Sequence, residues 1–308
     1  MTRVAALDCG TNSLRLLVAD VDGTGKRDVH REMRVVRLGE GVDRTGELAP
    51  QALERVRAAL VDYATTAAAL GAETTRLVAT SATRDASNAE VFVSLVRDVL
   101  GIAPEVVTGA QEAALSYDGA TRGLDPADGP FLVVDVGGGS TEVVLGEGGT
   151  VQAARSVDVG CVRLTERHLV DDPPTAAQVR AAEQDVDAAL DLVLEDVPVE
   201  QARTLIGLAG SVTTVAALAL GLPAYDPARI HLSRIGAQQV RDVTAALLAM
   251  PRAHRAALPV MHPGRVDVIG GGALVLRAVV DRVRAAEVLV SEADILDGIA
   301  WSAPAGTR

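Results

Sequence analysis

Apolar residues recur along this chain in two rhythms, and their order predicts the elements. At the N-terminus, VAALDCGTNSLRLLVADVDG reads as strand, polar turn, strand and glycine turn. A third strand is predicted over 29–38. Leu53, Val56, Leu60 and Tyr63 then recur at spacings of three and four, which predicts a helix over 50–70 with Pro50 in its first turn and Gly71 at its stop. TRLVATSATR reads as a strand running into a polar loop. A helix over 89–100 ended by Gly101, a strand over 105–108 and a helix over 110–121 complete a β-β-β-α-β-α-β-α series.

The second half repeats the theme. Strands are predicted over 131–136, 141–145 and 151–157, and helices over 162–169 and 175–194, with DDPPT between the helices. The stretch TLIGLAGSVTTVAALALGLPAY carries no formal charge and is long enough to cross a bilayer. Its three glycines, Pro223, and the hydroxyls of Ser211, Thr213 and Thr214 instead favour a buried strand over 204–208, a glycine turn and a buried helix over 212–220. Helices over 237–249 and 274–283, a strand over 287–290 and a short helix over 293–301 close the series.

One stretch, DVGGGSTEVVLG, carries three consecutive glycines after a strand. A dinucleotide fingerprint or a Walker loop needs a helix next. Here Thr141, Val143 and Leu145 alternate with their neighbours, so a second strand follows and the glycines sit at the tip of a β-hairpin. The N-terminal DCGTNSLRLLVADVDG has the same layout. Asp8 and Asp135 each end a strand, Gly10 and Gly137 follow two later, and Ser13 and Ser140 three after that. Such a duplication predicts two lobes, each opened by a three-stranded β unit. Each hairpin offers backbone N–H groups and hydroxyls to an anion, through Thr11, Asn12 and Ser13 in one loop and Gly137, Gly138, Gly139, Ser140 and Thr141 in the other.

Composition narrows the partners. The chain has 308 residues, of which 48% are apolar and only 2% aromatic, and its formal charge is −12. Few stacking platforms and a strongly acidic balance argue against nucleic acid and against an anionic membrane surface. A polyanionic substrate therefore needs a local positive site. Cys9 and Cys161 lie far apart and read as small apolar fillers of a cytoplasmic protein. Asp8 interrupts the first apolar run before a secretory core could form.

Together, VATSATRDASN, VVTGAQEAALSYDGA, VDVGGGSTEVVLG, VGCVRLTERHL and SEADILDGIA, with DCGTNSLRLLVAD at the start, resemble the exopolyphosphatase and guanosine-pentaphosphate phosphohydrolase family across essentially the whole chain. The resemblance implies an α/β fold of two ribonuclease-H-like lobes with a central cleft, as in the actin, sugar-kinase and heat-shock-chaperone ATPase superfamily. The first lobe is expected over 1–123, with 291–308 packing back on it, and the second over 124–290. The implied activity is hydrolysis of terminal phosphoanhydride bonds of inorganic polyphosphate, or of guanosine pentaphosphate, by a cytoplasmic homodimer. The longer relatives carry a C-terminal metal-dependent hydrolase-like domain absent from this short form, so short polyphosphates are the expected substrates.

Phosphoryl transfer needs charge neutralisation, in-line positioning and an oriented nucleophile. Asp8, Asp135 and Glu142 are hard oxygen ligands suited to Mg²⁺ or Mn²⁺. Arg84 follows a strand where its guanidinium could grip a phosphate, with Arg163 and Arg265 as weaker candidates for the same role. Glu112 is the expected general base. It matches the second acid of the family's Gly-x-Glu-Glu-Ala pattern, which here reads GAQEA, with Gln111 in place of the first acid. His168, His231 and His262 lack metal-ligand spacing and read as structural. Two alternatives stay open. GLAGSVTTVAALA and IGGGALVLRAVV put glycines before helices, as the adenosine site of an ATP-dependent kinase or ATPase would; a catalytically silent sensor of guanosine pentaphosphate is the other.

Overall fold

The computed structural model describes residues 1–22 and 25–303. The glycine turn expected at Gly23 and the end of the 291–308 segment lie outside the described residues. Two compact units divide the chain, one of Met1–Gly119 with the segment from Ile295, the other of Ala120–Asp294.

The elements run β1 (Thr2–Cys9), β2 (Ser13–Val21), β3 (Lys26–Val35), α1 (Val42–Thr45), α2 (Pro50–Ala69), β4 (Thr74–Ala79), α3 (Ser81–Asp85), α4 (Ala89–Leu100), β5 (Glu105–Val106) and α5 (Gly109–Thr121). They continue with β6 (Phe131–Val136), β7 (Thr141–Glu147), β8 (Thr150–Val157), α6 (Cys161–His168), α7 (Ala176–Asp196), β9 (Thr204–Leu208), α8 (Ala209–Ala219) and α9 (Pro227–Ile230). Last come β10 (Arg234–Gly236), α10 (Ala237–Ala249), α11 (Arg252–Ala256), α12 (Ile269–Val283), β11 (Glu287–Val290) and α13 (Ile295–Trp301).

The two sheets share one plan. In the first unit the order is β3-β2-β1-β4-β5, with β1, β2 and β3 antiparallel and β4 and β5 parallel to β1. In the second it is β8-β7-β6-β9-β11, with the same orientations and an antiparallel edge strand, β10, added. This strand order is that of a ribonuclease-H-like lobe, met twice.

Strand alternation sorts the first unit's side chains onto two faces. Leu7, Leu14, Leu16 and Val18 meet Leu53, Val56, Leu60 and Tyr63 of α2 and Phe92 of α4. Ala6, Leu17 and Ala19 face the other way, where Ile295, Leu296 and Ile299 of α13 cover them. Small alanines on that face let α13 lie close. Its Asp297 carboxylate accepts from Lys26 (2.9 Å) and Arg31 (2.6 Å) of β3, and a Cβ on Gly298 would run into the Leu115 carbonyl. In the second unit Leu132, Val134, Val136, Val143 and Leu145 pack under α7, α8, α10 and α12 in one core.

Three expectations change. The polar loop at 80–84 is the helix α3, so Arg84 rides on a helical turn. No glycine turn separates β9 from α8. The chain reverses at Ala209, whose φ of 67° is left-handed, and the helix begins there. Gly270, Gly271 and Gly272 lie inside α12, which starts at Ile269. Among the described residues no helix is long and apolar enough to cross a membrane.

Candidate active site

The two hairpin loops are built alike. Gly10 donates its N–H to the Ser13 carbonyl at 3.0 Å, and Gly137 donates to Ser140 at 3.1 Å. In the first loop the Thr11 carbonyl accepts from the Gly39 amide (2.8 Å), and the Asn12 carbonyl from Val36 (3.0 Å) and Arg37 (2.9 Å). In the second, the carbonyls of Gly137 and Gly138 accept from the amides of Cys161 (2.9 Å) and Val162 (2.8 Å), the opening residues of α6. Arg163 adds its Nε to the Gly139 carbonyl at 2.8 Å.

A trans peptide is planar, so its N–H points opposite to its C=O. Tying these carbonyls to one side turns the amides of Asn12 and Ser13, and of Gly138, Gly139 and Ser140, to the other. The amides of Asn12, Gly138 and Gly139 donate to no acceptor among the described residues. Each loop thus presents an anion-binding edge within its own unit. Two of the candidate hydroxyls are engaged inside the fold. Thr141 is buried and donates to the Val159 carbonyl at 2.6 Å, while Thr11 shares a 2.8 Å hydrogen bond with Ser81 of α3.

The carboxylates differ between the loops. Asp8 pairs in register with Arg15, whose Nε and Nη2 reach one carboxylate oxygen at 2.8 and 2.7 Å. Asp135 pairs with Glu142 at the equivalent place. Residues directly opposite on antiparallel strands share a face, so two carboxylates lie side by side there, 7% and 1% exposed. Glu142 accepts from the Ser156 hydroxyl at 2.7 Å. Like charges opposite one another are unfavourable, and a hard divalent cation suits such a pair of oxygen donors. Among the described residues no three His, Cys, Asp or Glu side chains gather as a metal cage. Arg15 was missed from the sequence, although the duplication puts it at the place of Glu142.

Glu112 lies in the first turn of α5 and is 7% exposed. Arg84 donates from Nη1 to its Oε2 at 3.0 Å and to the Val107 carbonyl at 3.1 Å. Arg84 thereby ties the end of α3 to the Glu112 carboxylate through Nη1. The neighbouring Gln111 closes the start of α5: its Oε1 accepts from the Thr108 amide (2.9 Å), and the Thr108 hydroxyl accepts from the Gln111 amide (3.3 Å). This reciprocal cap gives Gln111 a structural task that an amide performs well, and leaves Glu112 as the carboxylate of GAQEA.

The glycines once open to an adenosine reading are packing positions of the second unit. A Cβ on Gly272 would strike the Ser211 side chain, one on Gly271 would lie 2.8 Å from Thr165 Oγ1 and 2.9 Å from the Cys161 carbonyl, and one on Gly210 would enter the Arg265 guanidinium. The bare backbone lets α6, α8 and α12 approach. Arg265 donates to Thr214 Oγ1 at 3.3 Å. The histidines are structural: His168 bonds Asp185 at 2.9 Å, and the Nδ1 atoms of His231 and His262 accept backbone amides. Cys9 and Cys161 are free and buried, and burial raises both thiols above their ordinary range, which keeps them protonated.

Amide-lined hairpin loops on a two-sheet mixed α/β scaffold, with paired carboxylates and a held glutamate, are equipment for phosphate chemistry. The model of the Ppx/GppA phosphatase family matches residues 17–303, and the chain belongs to that family. It is similar to Exopolyphosphatase 2 of Mycobacterium tuberculosis, at 54% identity over 98% of each chain. A solved exopolyphosphatase-like protein superposes with a TM-score of 0.94 at 43% identity, covering 98% of each chain. The guanosine-5'-triphosphate,3'-diphosphate pyrophosphatase of Photobacterium profundum is 34% identical over 68% of this chain, which spans 42% of that protein.

Proposed function

We propose that this phosphatase-family chain is an exopolyphosphatase, hydrolysing the terminal phosphoanhydride bond of inorganic polyphosphate to release orthophosphate, with short chains as its substrates. The observation that carries the activity is the full-length likeness to Exopolyphosphatase 2. The arrangement around the two loops supports the mechanism.

In this reading the amides of Asn12, Gly138 and Gly139, with the Ser13 and Ser140 residues beside them, take the phosphate oxygens. A substrate of several negative charges approaching a chain of charge −12 depends on such local donors. Asp135 and Glu142 would hold Mg²⁺ or Mn²⁺, and Asp8, which accepts from Arg15, is the metal candidate of the other unit. Bound there, such a cation would neutralise phosphate charge. Glu112, aimed by Arg84, orients a water and accepts its proton as the water attacks the terminal phosphorus. The P–O bond to the leaving chain breaks, and the proton later leaves Glu112 to solvent. Such a base contributes roughly 10²–10⁴-fold in rate. A homodimer acting in the cytoplasm belongs to the same reading.

Guanosine pentaphosphate is the second substrate to weigh, because of the likeness to the Photobacterium enzyme. The ATP-dependent kinase reading loses its support where the glycines of α8 and α12 are filled by Arg265 and Ser211. The test is to incubate the purified protein and Mg²⁺ with tripolyphosphate, long-chain polyphosphate, guanosine pentaphosphate and ATP. Phosphate release from tripolyphosphate, with a ladder shortening from its end, is the expected result. Release from guanosine pentaphosphate or ATP alone would overturn the polyphosphate assignment.

A further inference from the structure

The two loops are held by the same device, and its only trace in the sequence is one glycine per unit. After the third strand of each unit the chain passes directly beneath the loop. In the first unit that segment is Val36–Arg37–Leu38–Gly39, and in the second Val159–Gly160–Cys161–Val162. A Cβ on Gly39 would run into the Thr11 methyl and lie 3.2 Å from the Ala82 Cβ. A Cβ on Gly160 would lie 2.5 Å from the Gly138 oxygen, 2.6 Å from its carbonyl carbon and 2.8 Å from the Gly139 nitrogen. Gly160 has φ −152°, which any residue adopts, so the need for glycine there is steric and not conformational.

We propose that Gly39 and Gly160 are positioning residues for substrate binding. Their missing side chains let the underlying segment reach the loop carbonyls, and those hydrogen bonds aim the loop amides at phosphate. The inference rests on the reading that these amides take the substrate's phosphates. A side chain at either place lifts the loop from its donors. The freed carbonyls then rotate toward the substrate and bring negative oxygen where N–H stood. Loop binding energy is present in both ground and transition states, so its loss raises KM and leaves kcat.

The measurement is steady-state kinetics on tripolyphosphate with Mg²⁺, beside calorimetric binding of methylenediphosphonate, a diphosphate analogue that is not hydrolysed. Gly160→Ala is expected to raise KM and weaken the analogue by about 10–100-fold, the worth of one hydrogen bond to a charged group, with kcat within about threefold. Gly221→Ala is the control. Its glycine sits at φ +61° with nothing within 4 Å, so alanine there costs stability through strain but leaves the loop alone, and KM is expected to stay at the wild-type value.

Where Gly160→Ala fails to fold, the Gly39 pair carries the test. Gly39→Ala in a Thr11→Ser background, which lacks the obstructing methyl, is expected to raise KM less than Gly39→Ala alone. A folded Gly160→Ala with wild-type KM and analogue affinity overturns the proposal, as does a Gly221→Ala that raises KM equally, or equal Gly39→Ala effects in both backgrounds. Wild-type protein that releases no phosphate sinks the hydrolase reading, yet analogue binding still reports on the loops. Absence of any analogue binding by wild type overturns the claim that these amides take phosphate.

Discussion

The loop at Gly10 and the loop at Gly137 share a backbone and differ in charge. Both close with a glycine amide on a serine carbonyl, and both rest on a segment that follows the third strand. Across the strands, however, the first sets Arg15 against Asp8 and the second sets Glu142 against Asp135. The first is an ion pair; the second sets two carboxylates side by side on a buried face. The loops share what planarity and hydrogen bonding dictate, and they differ in the side chains set across the strands.

The largest test of that contrast is removal of the metal. Excess chelator is expected to reduce phosphate release from tripolyphosphate to the background of the uncatalysed reaction, restored by Mg²⁺ or Mn²⁺; full activity in chelator would remove the role given to Asp135 and Glu142. Asp135→Asn against Asp8→Asn sharpens it. The first is expected to raise the Mg²⁺ concentration for half-maximal rate by at least about tenfold, since even supporting residues of metal sites cost that much, whereas the second shifts it by less than about threefold because Asp8 already answers to Arg15. Equal shifts would mean that the two loops share one chemistry. The smallest effect is at Gln111. Gln111→Ala removes half of the α5 cap and is expected to cost about 0.5–2 kcal/mol of stability in thermal or urea melts, with kcat within about tenfold because an amide is no base at neutral pH.

How far the sequence showed this depends on what each feature rests on. Strands β6 and β9 and helix α10 are readable to the residue, because their apolar runs are bounded by polar or turn residues. The hairpins are readable because alternation resumes straight after the glycines. Helix α3 is not: Ser81, Ala82 and Thr83 have no apolar spacing, and the turn exists because all three are buried by the fold around them. The glycines of α12 read as a break before a helix, yet they lie inside one, and at Gly271 and Gly272 the space a side chain would need is taken by Cys161, Thr165 and Ser211. For the candidate site, residue types point to candidates but not to their partners. Arg84 on Glu112 and Gly160 beneath Gly138 are contacts between residues distant in sequence, and nothing local in the chain marks them; Arg15 on Asp8 lies within one hairpin, and only the comparison of the two hairpins shows it.

In the proposed mechanism a water activated at Glu112 cuts the terminal phosphoanhydride bond. Glu112→Gln keeps the shape, the place in α5 and an oxygen for Arg84, and removes only the basic carboxylate. Initial rates of phosphate release from tripolyphosphate, with folding checked by thermal melt, measure its effect directly. Its kcat is expected to be lower by about 10²–10⁴-fold with KM little changed; a folded variant that works near the wild-type rate would place the base elsewhere.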